Sequence, residues 1–154
     1  MAAWTDTETG AWIGLLETHK ALTRALDAEL EAAHGVGLSA VEALGRLAAA
    51  PDGCLRLSQL ASECGLSVSR ISRLVDVLER RGLVQRRPSP SDARATDAHL
   101  TERGRAVARA AQATHFASVQ RRFFDQLDAG EVATLAAVFG RFAPRASDAC
   151  TVDD

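Results

Sequence analysis

Two helical segments joined through Gly65 are the feature that most constrains how this chain folds. Apolar residues at helical spacing predict one helix over 58–64 and a second helix that begins at Ser67 and ends at Arg81. Serine is a favoured N-cap residue, and glycine is common in the turn between two steeply crossed helices. The pattern therefore indicates a helix-turn-helix.

The residues after this pair of helices predict a small β hairpin. Gly82 ends the second helix, and 83–87 has the composition of a strand. The loop over 88–92 contains two prolines, which remove backbone donors, and the chain is expected to return as a strand over 96–100. A helix-turn-helix followed by a hairpin is a winged helix-turn-helix, so the predicted fold class is mainly α with a small β wing.

Further helices are predicted on both sides of this unit. In the N-terminal part, 11–34 carries a helical apolar stripe, and a capping box over 39–42 is expected to open a second helix. In the C-terminal part, Thr101 is expected to cap a long helix over 102–125, and a capping box over 128–131 to open the last one. Cys54 begins a short extended stretch between the N-terminal helices and the helix-turn-helix.

Charge is distributed unevenly along the chain, whose net charge is −2. Residues 1–55 have a net charge of −5, residues 56–109 of +5, and residues 110–154 of −2. A basic segment between acidic ones is a candidate surface for binding anions, although a solvated face with local ion pairs gives the same pattern.

The exposed face predicted for the second helix of the pair has the chemistry of a nucleic-acid contact. Short hydroxyls let a helix N-terminus come close to a phosphate or a base edge, and the helix dipole favours phosphate there. Arg70 and Arg73 each offer two donors that match guanine in a major groove. They could instead pair with Asp76 and Glu79 at helical spacing. The candidate DNA-binding residues of this helix are Ser67, Ser69, Arg70, Ser72 and Arg73.

The predicted hairpin adds basic residues beside that helix. A loop arginine next to a helix in the major groove can enter the adjacent minor groove, where A·T tracts concentrate negative potential. A winged helix used for protein contact is the alternative, but such a face would expose apolar residues rather than serine and arginine. The candidate DNA-binding residues of the hairpin are Arg86, Arg87, Ser91 and Arg94.

The stretch from Leu57 to Gly104 resembles the winged helix-turn-helix of MarR-family transcriptional regulators. The order of the predicted helices extends this resemblance over nearly the whole chain. It is carried by Leu60-Ala61, by the run from Leu66 to Asp76, by the run from Leu78 to Arg86, by Asp92-Ala93-Arg94, and by the run from Leu100 to Gly104.

The resemblance implies a homodimer that binds a pseudo-palindromic site on double-stranded DNA, in most cases a repressor released by a small-molecule effector. It implies a dimerisation helix in 1–37, a DNA-binding domain in 38–100 and dimerisation helices in 101–145. We expect 146–154 to be a loose tail. A regulator of the same fold that senses thiol oxidation is the alternative function.

Two positions of the hairpin match the family, and three depart from its pattern. Arg94 matches the wing-tip arginine that reaches the minor groove, and Asp92 matches the aspartate that braces the wing. Ala93 stands where the family frequently has a second arginine. Asp97 and Ala98 stand where larger apolar residues are usual, so the second strand is expected to be short or frayed.

His19 interrupts the apolar stripe of the first helix. It is expected either at the dimer interface or, with Trp12 and Leu16, in an effector pocket between the dimerisation helices and the winged domain. Because relatives in this family often bind small anionic phenolic compounds, the ligand expected there is small and anionic or aromatic.

The cysteines and histidines predict neither a cofactor nor a metal site. Cys54, Cys64 and Cys150 are odd in number and fit no zinc spacing, and His99 and His115 lack partners at ligand spacing. Relatives that sense oxidation carry their cysteine near the start of the first helix, where this chain has none. No set of nucleophile and base is found either, so the chain is not expected to be an enzyme.

No apolar run approaches the roughly 18 residues that a membrane span needs, so no membrane partner is expected. Residues 1–10 carry two acids and no basic residue, unlike a signal peptide. The sequence therefore predicts a cytoplasmic protein.

Overall fold

The computed structural model describes residues 3–90 and 92–142. Within this part of the chain, the fold is mainly helical with a small antiparallel sheet, as the sequence predicts. None of the helices described there is long and apolar enough to cross a bilayer. The elements are α1 (Asp6–His34), α2 (Leu38–Ala49), β1 (Cys54–Arg56), α3 (Leu57–Glu63), α4 (Val68–Arg80), β2 (Val84–Ser89), β3 (Asp92–Leu100), α5 (Glu102–Arg122) and α6 (Ala129–Phe139).

Helix α1 begins earlier than its apolar stripe predicts. Thr5 and Glu8 form a capping box, in which Thr5 Oγ1 accepts from the Glu8 amide and the Glu8 carboxylate accepts from the Thr5 amide. This pair satisfies two N–H groups that a helix start leaves unpaired. The helix therefore begins at Asp6 rather than at residue 11.

The capping box predicted at Ser39 and Glu42 is wrong. Helix α2 already begins at Leu38, and its N-cap residue, Gly37, has no side chain to make a capping bond. The Leu38 amide donates instead to Asp27 Oδ1, at 2.7 Å. Because Asp27 belongs to α1, the cap of α2 comes from another helix and has no local sequence signature.

The helix-turn-helix is fixed by two left-handed glycines. Gly65 (φ 61°) ends α3, and Gly82 (φ 70°) ends α4. In each case the residue after the glycine donates to a carbonyl five positions earlier, Leu66 to Ala61 and Leu83 to Leu78. This is the Schellman arrangement, in which glycine adopts a positive φ without the steric cost of a Cβ atom.

The sheet has the order β1-β3-β2, with both pairs antiparallel. The expectation that the returning strand is short is wrong, because β3 runs from Asp92 to Leu100 between the other two strands. Ala98 is fully buried, so its small side chain fits where the sheet lies against the core. Pro88, predicted to lie in a loop, belongs to β2, an edge strand on which a missing donor is tolerated.

The helices after the wing differ in how they pack. Helix α5, capped by Thr101 as predicted, lies against α1 and α2 and buries Ala108, Ala111 and Ser118. Helix α6 begins with the predicted capping box of Asp128 and Glu131. None of its residues is buried, although most of them are apolar. Among the described residues, α6 is therefore only partly covered.

Candidate nucleic-acid interface

Helix α4 presents a polar face because its apolar residues are used by the core. Ile71, Val75 and Leu78 are at most 1% exposed. On the opposite side, Arg70 and Arg73 are exposed. The amphipathic spacing of α4 therefore decides which of its arginines reach solvent.

The N-terminus of α4 is the polar end of this face. Ser67 is the N-cap residue, and its Oγ accepts from the Arg70 amide at 3.3 Å. The Oγ atoms of Ser67 and Ser69 lie 3.1 Å apart. Both serines are exposed. Small hydroxyls at a helix N-terminus leave room for a phosphate near the amides, where the helix dipole attracts negative charge.

Arg86, a predicted DNA contact, is bound within the protein instead. Its Nη1 donates to Asp76 Oδ1, and its Nη2 donates to the Ser72 carbonyl at 2.5 Å and to Ser72 Oγ at 3.1 Å. Its backbone amide donates to Glu79 Oε1 at 2.9 Å. Arg86 thus fastens β2 to α4 with most of its donors, and Ser72 shares that role.

The same contacts change the environment of Arg70 and Arg73. The acids that could have paired with them, Asp76 and Glu79, are both bound to Arg86. No ion pair joins either arginine to another residue in the described part of the chain. Their charges are therefore available to an external anion.

The wing carries two further exposed cations. Arg94 lies at its tip, and no ion pair joins its guanidinium to any residue that the structure describes. Its backbone amide donates at 3.0 Å to Oδ1 of Asp92, the predicted wing-bracing residue, two positions earlier. Arg87 is exposed, and its Nη2 donates to Gln85 at 2.9 Å. Ser91 lies outside the described residues.

Arg81, at the end of α4, caps the C-terminus of α1. Its guanidinium donates to the carbonyl of Gly35 and, at 3.3 Å, to that of His34. A cation at a helix C-terminus satisfies carbonyls that have no partner in the helix. The end of α4 is therefore tied directly to the end of α1.

The residues predicted to line an effector pocket are exposed in the part of the chain that the structure describes. Trp12 and Leu16 are 48% and 38% exposed, and His19 is exposed as well. They lie on the first turns of α1, where almost every residue is exposed. The structure instead has a cavity of about 340 Å³ between α2 and α5.

The cavity combines apolar walls with a few polar groups. Val41 and Phe116 are apolar lining residues. The polar lining includes His115 and the ion pair of Arg46 with Glu42, at 3.9 Å. Burial lowers the pKa of His115, which favours the neutral imidazole. Its Nδ1 is buried and has no hydrogen-bond partner among the described residues. Gly45 lines the same cavity and faces open space.

The two described cysteines have environments unlike those of reactive thiols. Cys64 is buried, and desolvation raises its pKa to about 11. Desolvation and the Asp97 carboxylate raise the pKa of Cys54. A thiol held in its protonated form is a poor nucleophile, which disfavours a thiol-redox sensor at either position. Cys150 lies outside the described residues.

A group of potential metal ligands lies on the sheet, where the spacing of cysteines and histidines in the sequence does not indicate one. Cys54, Asp97 and His99 offer ligand atoms that all lie within 4.8 Å of one another. Sequence spacing could not identify this group, because the pairing of β1 with β3 brings Cys54 next to His99.

Comparisons with known proteins agree with this geometry. The family model described as MarR family matches residues 34–95. AbsC, a MarR family transcriptional regulator from Streptomyces coelicolor, is 33% identical, with 92% of this chain and 95% of that chain covered and a TM-score of 0.84. Sco3205, a MarR family transcriptional regulator from the same organism solved in complex with DNA, is 29% identical, with 94% and 97% covered and a TM-score of 0.84. Among curated proteins no match is found.

Proposed function

This chain belongs to the MarR family of transcriptional regulators, and from that premise we propose that it acts as a homodimer that binds double-stranded DNA through α4 and the wing. Sco3205, which has a similar fold over nearly its whole length, was solved in complex with DNA. We infer that the protein is a regulator rather than an enzyme. We also infer that it works in the cytoplasm, where it meets its DNA.

The observation that carries this proposal is the pairing within α4 and β2. The Arg86 guanidinium binds Asp76 and the Arg86 amide binds Glu79, while Arg70 and Arg73 are exposed and form no ion pair among the described residues. They project from a helix whose N-terminus is lined by small hydroxyls. Ser67, Ser69, Arg70 and Arg73 are thus the proposed major-groove contacts, with Arg70 or Arg73 reading a guanine.

The homodimer is supported by apolar surface that one protomer leaves open. Trp12 and Ile13 of α1 are about half exposed, and Phe139 of α6 is 42% exposed. An isolated helix as short as α6 is marginal in water, so it needs a partner to cover its apolar residues. We propose that 1–37 and 101–145 of two chains form this interface, to which His19 and Leu16 also contribute.

Two-fold symmetry sets the geometry of binding. Two copies of α4 must lie about 34 Å apart, one helical turn of DNA, to enter successive major grooves. Arg94 at each wing tip then lies over the flanking minor groove. The site is accordingly a pseudo-palindrome with a preference for A·T pairs at its flanks.

A salt titration of binding tests the proposal. The probe is the DNA upstream of the protein's own gene, and the control is an unrelated duplex of equal length. We expect a steep loss of affinity with salt on both duplexes and a preference of about 10³ or more for the upstream DNA. If both duplexes bind weakly and equally, the test is repeated with fragments selected from the whole genome. Weak and equal binding there too would contradict site-specific regulation and favour an acidic protein partner for the basic face.

We further propose that a small aromatic anion binds the cavity between α2 and α5 and releases the DNA, which makes the protein a repressor. The volume suits a small ligand, and Phe116 supplies an aromatic wall. Arg46 and His115 supply nitrogen atoms, with Glu42 paired to Arg46 at 3.9 Å. Helix α2 belongs to the proposed DNA-binding domain and α5 to the proposed dimerisation helices. A ligand between them would therefore change the spacing of the two α4 helices in the dimer. The ligand releases the DNA only if its affinity for the free dimer differs from its affinity for the DNA-bound dimer.

The effector test uses a hydroxybenzoate as the probe. We expect it to bind the free protein more tightly than the DNA complex, and to lower DNA affinity by the same factor, because the coupling is reciprocal. Gly45→Leu fills the cavity and should abolish the effect while leaving DNA affinity intact. An effect that persists in Gly45→Leu would place the ligand elsewhere.

A further inference from the structure

We propose that Cys54, Asp97 and His99 form a binding site for a divalent transition metal, of which Zn²⁺ is the best match. The site lies at the root of the wing and uses residues that the proposed DNA contact does not involve. It therefore stands or falls independently of the proposed function.

Strand register brings the three side chains together. Cys54 of β1 lies directly opposite His99 of β3, so both side chains leave the sheet on the same face. Asp97 is two residues from His99 on the same strand and shares that face, because side chains alternate along a strand. Their ligand atoms all lie within 4.8 Å of one another.

The distances suit a tetrahedral metal. Cys54 Sγ and His99 Nε2 lie 3.4 Å apart. Zinc–sulfur bonds of about 2.3 Å and zinc–nitrogen bonds of about 2.0 Å at a tetrahedral angle put these atoms about 3.5 Å apart. The pair is therefore already spaced as two ligands of one ion.

Asp97 gives an independent indication of a ligand. Its side chain is only 8% exposed, yet its buried Oδ1 has no hydrogen-bond partner among the described residues. An unpaired buried carboxylate oxygen is costly, and a cation would remove that cost. Because Asp97 is buried, the group is not an exposed acidic patch. Arg56 and Arg87 are aligned with Asp97 on the neighbouring strands, so the ion would bind beside two positively charged residues.

The donor set selects the metal. One thiolate, one imidazole and one carboxylate form a mixed set that suits Zn²⁺ and other borderline ions better than Mg²⁺ or Ca²⁺. Binding releases the thiol proton to solvent, and the two anionic ligands then balance the charge of the ion. Three protein ligands leave a fourth position for water. The bound ion would tie β1 to β3 and so fix the wing to the core.

Titration of the untagged full-length protein with Co²⁺, followed by displacement with Zn²⁺, tests the site. We expect one equivalent of Co²⁺ to bind per chain and to give a thiolate-to-cobalt charge-transfer band. Addition of Zn²⁺ should displace the Co²⁺ and remove this band. Cys54→Ala should remove the band, and Asp97→Asn should weaken binding at least about tenfold. Cys64→Ala, which removes the other described cysteine, is the matched control and should keep it.

A second measurement needs no variant. Zn²⁺ should slow the alkylation of Cys54 in the native wild-type protein but not that of Cys150, which is not a proposed ligand. Peptide mapping by mass spectrometry separates the two cysteines. Absence of the thiolate band in the wild type, or equal alkylation of Cys54 with and without Zn²⁺, would overturn the proposal and leave a simple hydrogen bond between Cys54 and His99.

Discussion

The guanidinium of Arg86 in β2 is bound to the carboxylate of Asp76 in α4, ten positions earlier in the chain. This ion pair is partly buried, with the Arg86 side chain 25% exposed. It connects the wing to the helix that carries the candidate base contacts. The first strand of the wing is therefore held against α4 within a single chain.

Arg86→Ala should destabilise the fold rather than act as the loss of a DNA contact. The substitution removes hydrogen bonds to a charged partner and to Ser72, and we expect the free energy of unfolding to fall by about 1–3 kcal/mol. Urea denaturation measures this change. Unchanged stability together with a loss of specific DNA affinity would mean that Arg86 touches DNA after all.

Arg70→Ala and Arg73→Ala should have the opposite profile. Neither side chain pairs with an acid in the described structure, so the unfolding free energy should change by less than about 0.5 kcal/mol. Replacing the arginine that reads a base should reduce the free energy of binding to the cognate site by about 1–3 kcal/mol and relax specificity at that base. Binding measured on a panel of single-base variants of the site distinguishes this result from a phosphate contact, which would weaken all sequences equally.

Arg94→Ala should weaken binding most on sites with A·T-rich flanks. A narrow minor groove attracts an inserted arginine more strongly, so the wild-type preference for such flanks should diminish in the variant. The measurement compares two duplexes that differ only outside the central half-sites. If the variant loses the same affinity on both duplexes, the minor-groove assignment is wrong.

Asp27→Ala should destabilise α2, whereas Ser39→Ala should not. Asp27 Oδ1 accepts from the Leu38 amide, and removal of an N-cap acceptor costs about 1 kcal/mol. Ser39 makes no capping bond in the structure and is the matched control. Chemical denaturation of both variants checks the assignment, which a larger loss in Ser39→Ala would refute.

Two glycines inside helices should respond to alanine in opposite directions. A Cβ atom at Gly45 meets nothing within 4 Å, so Gly45→Ala should raise stability by up to about 1 kcal/mol through helix propensity. At Gly104 the same atom would lie 2.0 Å from the Leu83 carbonyl oxygen, so Gly104→Ala should cost about 1–3 kcal/mol. Thermal melting of the two variants provides the test, and stabilisation by Gly104→Ala would contradict the close packing of α5 on Leu83.

Much of the fold could be predicted because its signals are local. The caps at Ser67, Thr101 and Asp128 each bond to an amide three residues away, so the sequence contains both partners. The glycines that end α3 and α4 are equally local. The extent of β3 could not be predicted in this way, because its central position in the sheet makes a buried Ala98 acceptable where sequence alone suggested a frayed strand.

The order of the elements, the polar face of α4 and the arginines on that face follow from the sequence, since helical spacing sets which residues share a face. The contacts that the other arginines make depend on the folded chain. Arg86 and Arg81 bind other groups of the protein, and Cys54 lies next to His99 on the neighbouring strand. The physical reason is that an ion pair or a ligand set depends on distance in space. Chain folding brings together residues whose separation in sequence carries no such information.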